Sequence, residues 1–300
     1  MKALKMAAAL LAAAAFVPTG AMAASLPTAD QVIAKYIEGI GGKAALDKVK
    51  NRVIKGKFSL PDMGIEAIMT TYSAPPNSLN EVNVESMGMT VLRGMTDGLA
   101  WEVNPMQGAR ILEGPEKDQM ARQAALVQFA NYKTEYDKVE VVGEEDLAAA
   151  APAAPAAPAA PAAPAGGAAA APAAPAAPAE PVTPKPAYKV VFTPKEGDAD
   201  TAYFDKETGL LVQMEGMAQG MTVTTTIGDY KEVDGVKIAH SITNSGGPMN
   251  VIITYDSVEH NAEIPADRFA LPAEIVALQN PPAPAEGAAP AEGAAPKAQD

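Results

Sequence analysis

TAYFDKETGLLVQMEGMAQGMTVTTTIGDYKEVDGVKIAHSITN, residues Thr201–Asn244, is the stretch that decides the fold. It reads as four strands in succession. Ala202–Asp205 turns through Lys206-Glu207-Thr208-Gly209 into Leu210–Met214. A Gly- and Met-rich bend, Glu215–Gly220, leads into Met221–Tyr230, and Asp234-Gly235 turns the chain into Val236–Asn244. Gly209 and Gly235 supply the positive φ that tight hairpin turns need. Leu210, Val212 and Met214 point one way and Leu211 and Gln213 the other, the period-two pattern of a half-buried strand. The result is an antiparallel meander with one apolar face, and that face has to cover something.

Working outward toward the N-terminus, Thr28-Ala29-Asp30-Gln31 matches a capping box, followed by Val32, Ile33, Tyr36, Ile37 and Ile40 on one helical stripe. Gly39, Gly41 and Gly42 end this helix, and Lys43–Val49 is long enough for a second short one. Strands are then expected at Val53–Leu60, Ile65–Tyr72, near Leu79–Val84, at Met89–Thr96 and, after the hairpin signal Asp97-Gly98, at Leu99–Val103. Asn104-Pro105 and Gly108 end that series. Pro115 suits a first helical position, so Glu116–Phe129 reads as a helix, and strand resumes at Lys138–Val142. Beyond the meander, Met249–Tyr255 is a further strand and Asp267–Leu278 a short helix interrupted at Pro272.

Three segments stand apart by composition. Residues 1–24 combine Lys2 and Lys5, the apolar run Met6–Phe16 and the small-x-small site Ala21-Met22-Ala23, the pattern of a cleavable export signal. That run is too short to span a bilayer. Ala148–Pro181 is almost wholly Ala and Pro, with Pro every third residue in two stretches, and the arm it forms runs to Pro186. Proline at that period suits polyproline II, and the tract would reach about 120 Å if fully extended. Val139–Leu147 before it and Ala187–Thr193 after it read as two arms of one hairpin, which makes the tract an overgrown loop; long loops cost little extra closure entropy. The expected organisation is therefore a signal peptide (1–24), one domain formed by 25–147 and 187–279, a disordered insertion at 148–186 and a disordered Ala/Pro/Glu tail at 280–300.

The chain carries no cysteine, which removes disulfides, thiolate chemistry and a lipidated N-terminal cysteine. Loss of Lys2 and Lys5 takes the formal charge from −13 to −15. An acidic surface argues against nucleic acid or an anionic membrane as partner. The expected product is exported, periplasmic or else secreted, and neither membrane-spanning nor lipidated. All its turns are hairpin-like, so the fold class expected is α+β: a curled antiparallel sheet of about ten or eleven strands, an open half-barrel with the N-terminal and central helices as a lid.

Ala202-Tyr203-Phe204-Asp205, Thr208-Gly209-Leu210-Leu211-Val212 and Asp229-Tyr230-Lys231-Glu232-Val233-Asp234-Gly235-Val236-Lys237, together with Val32–Gly42 and Val258-Glu259-His260-Asn261, resemble the outer-membrane lipoprotein-sorting (LolA-like) superfamily. The resemblance runs from about Leu26 to Leu278 outside the Ala/Pro tract. It implies an open half-barrel closed by helices over an apolar cavity, in relatives that bind acyl chains of lipoproteins or other lipids, some acting as sensors or lipid-transfer proteins. Arg52 and Arg93 lie in strands, and neither sits in a motif matching the sorting carrier's functional arginine.

Catalytic constellations are nearly absent from the sequence. His240 and His260 are the only histidines and have no ligand-spaced partner; His240 reads as a strand residue and His260 as part of a turn. No nucleophile elbow or phosphate loop is present. No cofactor or metal is expected, and the reading is a non-enzyme. The notable residue type is methionine, with 14 in the chain. Methionine is flexible and polarizable, and suits surfaces that accept variable apolar partners, although the same residues could fill an ordinary core. Met69, Met89, Met95, Trp101, Met120, Leu210, Met214, Met217 and Met221 are the expected lining of an apolar cup. The expected occupant is an acyl chain, lipid or lipoprotein, with an envelope protein as possible partner. The competing reading is a structural or sensor protein with a filled core, using the Ala/Pro tract as spacer or tether.

Overall fold

The computed structural model describes residues 25–147, 184–218, 220–265 and 267–280. The expected signal peptide, nearly all of the Ala/Pro tract and the tail lie outside the described residues. Hairpin chemistry governs the rest. Six strands follow the N-terminal helices α1 (Ala29–Gly39) and α2 (Lys43–Leu46): β1 (Arg52–Leu60), β2 (Ile65–Ala74), β3 (Asn77–Val84), β4 (Met89–Thr96), β5 (Leu99–Asn104) and β6 (Gly108–Leu112). Seven more follow: β7 (Tyr136–Leu147), β8 (Lys185–Pro194), β9 (Asp200–Asp205), β10 (Leu211–Ala218), β11 (Met221–Val233), β12 (Val236–Ser245) and β13 (Val251–His260). All belong to one 13-stranded antiparallel sheet in the order β6-β5-β4-β3-β2-β1-β13-β12-β11-β10-β9-β8-β7. The curled sheet does not close, and β6 and β7 are its free edges.

Because β6 and β7 are consecutive in the chain, the segment between them has to cross from one edge of the sheet to the other. That connector, residues 113–135, carries α3 (Gly114–Ala124) and a short α4 (Tyr132–Glu135), and it defines the inner face of the half-barrel. β7 pairs with β8 from Tyr136↔Pro194 to Leu147↔Lys185, so residues 148–184 join two neighbouring strands of the same sheet.

The N-terminal helix α1 (Ala29–Gly39) starts where its capping box places it. Thr28 Oγ1 accepts from Gln31 N at 3.3 Å, and Gln31 Oε1 accepts from Thr28 N at 2.8 Å. Its stripe of Val32, Ile33 and Tyr36 is buried against Val190, Phe192, Phe204, Leu211 and Ile227 of the sheet. The helix end docks on the β9–β10 turn. A Cβ on Gly39 would lie 2.5 Å from Thr208 O, and one on Gly209 would lie 2.6 Å from Lys35 O. The glycines at 39 and 209 are thus two halves of one close backbone contact. Asp205, buried at the strand end, holds that turn: its Oδ1 accepts from Glu207 N (3.0 Å), Thr208 N (2.6 Å) and Thr208 Oγ1 (2.9 Å).

The structure departs from the sequence reading in several places. β6 is an additional strand; five residues at a sheet edge, opening on a glycine, carry no alternation to reveal them. α3 stops at Ala124, where Ala125 turns extended, short of the expected Phe129. The terminal helix, α5 (Ala273–Gln279), begins only after Pro272 and lies on the outer face. It lies there because β3–β6 are apolar on that side too: Leu79, Leu92, Leu99 and Trp101 need cover, and Ile275 supplies it. His260 is the last residue of β13 and buried, not part of a turn.

Candidate functional site

Residues directly opposite each other in an antiparallel ladder share a face. Along the inner face the register pairs Met69 with Val82 and Val82 with Val91. In the other direction it runs from Phe58 to Ile253, from Ile253 to Ile242 and from Ile242 to Ile227. The outer face of the same strands carries Lys55, Lys57, Glu66, Thr70, Glu81 and Thr254. The centre of the sheet is therefore two-sided, apolar within and polar without. Two packed clusters flank this centre. α1 and the connector cover β8–β11, and Met120 of α3 packs with Met95, Ala100 and Leu112 over β4–β6. Between them Phe58, Val82, Val91, Ile242 and Ile253 are only half-buried, and none belongs to either cluster.

The connector crosses the inner face at the Arg52 end of the sheet, beside this stripe, and is held at three points. Met120 anchors one end. Phe129 anchors the other, stacked on Phe192 at 4.3 Å between ring centres and edge-on to Phe204 at 5.8 Å. In the middle, Arg52 of β1 donates from Nη2 to Leu126 O at 3.0 Å and from Nε to His260 Nε2 at 3.2 Å. Accepting at Nε2 leaves the His260 proton on Nδ1, 3.5 Å from Asp234 Oδ2. Burial, and then the charge of Arg52, hold the His260 imidazole below its ordinary pKa, against the pull of Asp234. Burial also lowers the pKa of Arg52, which remains a cation. A cavity of ≈ 780 Å³ adjoins this tether, lined by Ile37, Leu46, Val49, Leu126 and Val127, with Lys43 and Lys50 among its polar residues.

The expected cup residues divide accordingly. Met69 is buried on the inner face, and Met89 lies half-buried there opposite Val84. Met95 and Met120 meet in one cluster. Met214 and Leu210 pack against the α1 cluster, and Gln128 Nε2 of the connector reaches Met214 Sδ at 3.3 Å. Met221 shares the inner parity of Met214 but sits at a hairpin tip and is 39% exposed. Two residues do not line the cup. Met217 is on the opposite side of β10 from Met214 and 49% exposed. Trp101 points outward, 2% exposed under Ile275, with Nε1 donating to Thr96 Oγ1 at 3.1 Å. The signal for Trp101 was present: a two-residue turn at Asp97-Gly98 pairs Gly94 with Trp101 and Met95 with Ala100, which places Trp101 and Met95 on opposite faces. Sequence reasoning also missed Arg52, His260 and Phe129, whose roles depend on contacts across the whole chain. Met63, Met87, Met106, Met217, Met221 and Met249 are exposed in or beside hairpin turns at one end of the sheet, so this rim, and not the cup, holds the surface methionines.

Among the described residues no group of His, Cys, Asp and Glu is arranged to hold a metal ion, and no helix is long and apolar enough to cross a membrane. No protein-family model matches the sequence, and no curated protein matches it. Solved structures do. A LolA superfamily protein from Nitrosomonas europaea superposes with a TM-score of 0.50 at 11% identity, over 82% of this chain and 99% of that one. A domain from Vibrio parahaemolyticus named for outer membrane lipoprotein sorting gives 0.49 at 10% identity, over 80% and 95%. A DUF1329 family protein from Desulfovibrio piger gives 0.48 at 12% identity, over 80% and 96%. The chain thus has a LolA-like fold, an open antiparallel half-barrel with helices across its inner face.

Proposed function

We propose that this protein is a non-enzymatic periplasmic carrier that holds the acyl chain of a lipid or lipoprotein against its inner face. The supporting observation is the half-buried apolar stripe of Phe58, Val82, Val91, Ile242 and Ile253, which belongs to neither packed cluster and lies beside a connector whose middle is held by Arg52. Each methylene buried there contributes ~0.8 kcal/mol, so an ordinary acyl chain brings on the order of 10 kcal/mol without a catalytic group or metal. Met69, Met89 and Met214 supply side chains that re-pack around chains of differing shape. Opening requires the Arg52–Leu126 bond to break and the connector to lift between its anchors at Met120 and Phe129. The export pattern of residues 1–24 supports a periplasmic location, where an envelope protein would deliver or receive the cargo.

The packed β8–β11 half favours a second reading, in which the core is filled and the Ala/Pro tract works as a spacer or tether. One experiment separates the two. Purified protein is extracted with organic solvent for mass spectrometry and titrated with a fluorescent fatty acid, beside an Ile253→Arg variant that puts a charge on the stripe. The carrier reading expects co-purified lipid, or saturable uptake, that the variant loses while unfolding as wild type does. No lipid and no uptake would leave the filled-core reading standing.

A further inference from the structure

We infer that the inner face also reads the polar end of its ligand, through Arg93, and takes an amphiphile whose head is an anionic oxygen group, a carboxylate or phosphate. This rests on the carrier reading above. One register row of the inner face differs from its neighbours: Thr71, Asn80, Arg93, Glu102 and Arg110 stand side by side across β2–β6. On one side of it runs the apolar row Met69–Val82–Val91; on the other, Met95, Ala100 and Leu112 lie under α3. The polar row thus marks the boundary between the open stripe and the covered end of the sheet.

Most of the row is internally satisfied. Asn80 Nδ2 donates to Thr71 Oγ1 at 2.8 Å. Arg110 donates to Glu102 at 3.0 Å and to Glu116 of α3 at 2.9 Å, which ties α3 to the sheet. Arg93 differs from Arg110, whose Nε is also buried without an acceptor but whose two Nη atoms are both engaged. The Arg93 Nε is buried without an acceptor, Glu102 stands 3.9 Å away, and the Arg93 guanidinium makes no hydrogen bond among the described residues. Glu102, only 12% exposed, is already engaged by Arg110, so two guanidiniums share one sequestered carboxylate. The Arg93 side chain is 34% exposed, and its place in the register directs that opening into the cup.

Arginine only donates, and its planar fork matches the two oxygens of a carboxylate or phosphate. A chain lying along Met69, Val82 and Val91 brings its head to Arg93. A neutral head of the same chain supplies no charge to meet the unengaged guanidinium. The ligand class is therefore a fatty acid or an alkyl or acyl phosphate rather than a neutral alcohol or ester.

The test is calorimetric titration of the purified protein with laurate, lauryl phosphate and lauryl alcohol, each below its aggregation limit, for wild type, Arg93→Gln and Arg93→Lys. A charge-assisted contact predicts that wild type binds at least one anion about 10-fold more tightly than the alcohol. Arg93→Gln should bring that anion to the level of the alcohol, with a cooperative thermal unfolding transition as the control for folding, and Arg93→Lys should restore part of the preference. The stronger anion names the head group. Equal wild-type affinity for all three overturns the inference while leaving the carrier reading intact, and so does a preference that survives in Arg93→Gln. Failure to bind any of the three removes the carrier reading and this inference with it. Should Arg93→Gln not fold, Arg93→Met takes its place: loss of the anion preference supports the inference and its survival overturns it.

Discussion

Replacing Arg52 by methionine keeps the apolar stem of the side chain and removes the two hydrogen bonds that join β1, β13 and the connector. The bond to Leu126 O is charge-assisted and partly buried, and such bonds contribute about 1.5–3 kcal/mol. Taking ~2 kcal/mol, and ~1.4 kcal/mol per factor of ten, the open connector should become roughly 30-fold more populated. The loss is local, because Met120 and Phe129 still anchor the two ends. Amide hydrogen exchange read by peptide mass spectrometry is the suitable assay, since it resolves segmental opening from global unfolding. The peptide covering Ala125–Asn131 should exchange about 30-fold faster in R52M, with β1 and β13 peptides nearly unchanged. Unaltered exchange in that peptide would refute the tether. Uniform acceleration across the sheet would show that Arg52 serves global stability instead.

Three further outcomes follow from the same contacts. The folded-state pKa of His260 is depressed, so the stability it confers is complete above the unfolded value of about 6.5 and is lost as pH falls through that value toward the folded one; a charged His260 can no longer accept from Arg52. The protection of the connector amides, taken relative to the intrinsic exchange rate at each pH, should therefore fall on going from about pH 7.5 to about pH 5, and His260→Gln should flatten this fall. Gly39→Ala gains ~1 kcal/mol of helix propensity but puts a Cβ 2.5 Å from Thr208 O. With an overpacking cost toward the upper end of ~1–3 kcal/mol, a net loss near 2 kcal/mol is expected, read as a Tm lowered by about 4–8 °C; an unchanged or raised Tm would contradict the docking of α1 on the β9–β10 turn. Mild peroxide should oxidise Met63, Met87, Met106 and Met249 before Met69, Met95 and Met120, as mass spectrometry of tryptic peptides would report. Early oxidation of Met69 would mean that the inner face is open rather than covered.

Where local chemistry is strong, the architecture was legible from residues alone. The capping box at Thr28–Gln31 started a helix where it was expected, and Thr208-Gly209, Asp234-Gly235 and Asp97-Gly98 turned the chain at the anticipated hairpins. The site was less legible. Cup residues were chosen by residue type, and type does not carry direction: Met214 and Met217 are three apart on one strand and so face opposite ways. Trp101 has a cup-like character but belongs to the outer cluster with Ile275, a partner far along the chain. Arg52 gave no sign of its role, because Leu126 and His260 are distant in sequence and meet it only through strand pairing and the crossing of the connector.

The residues alone set every described strand but β6, the main hairpin turns and the start of the first helix, and they exclude thiol chemistry. These depend on backbone preferences and composition within a few residues. Only the tertiary structure decided that β6 and β7 are the free edges, that the segment between them must therefore cross the inner face, and that the centre of that face is left half-covered. It also decided which arginines matter. Arg52 is engaged at both ends and Arg93 at neither, a difference set by cross-strand neighbours that no local pattern records.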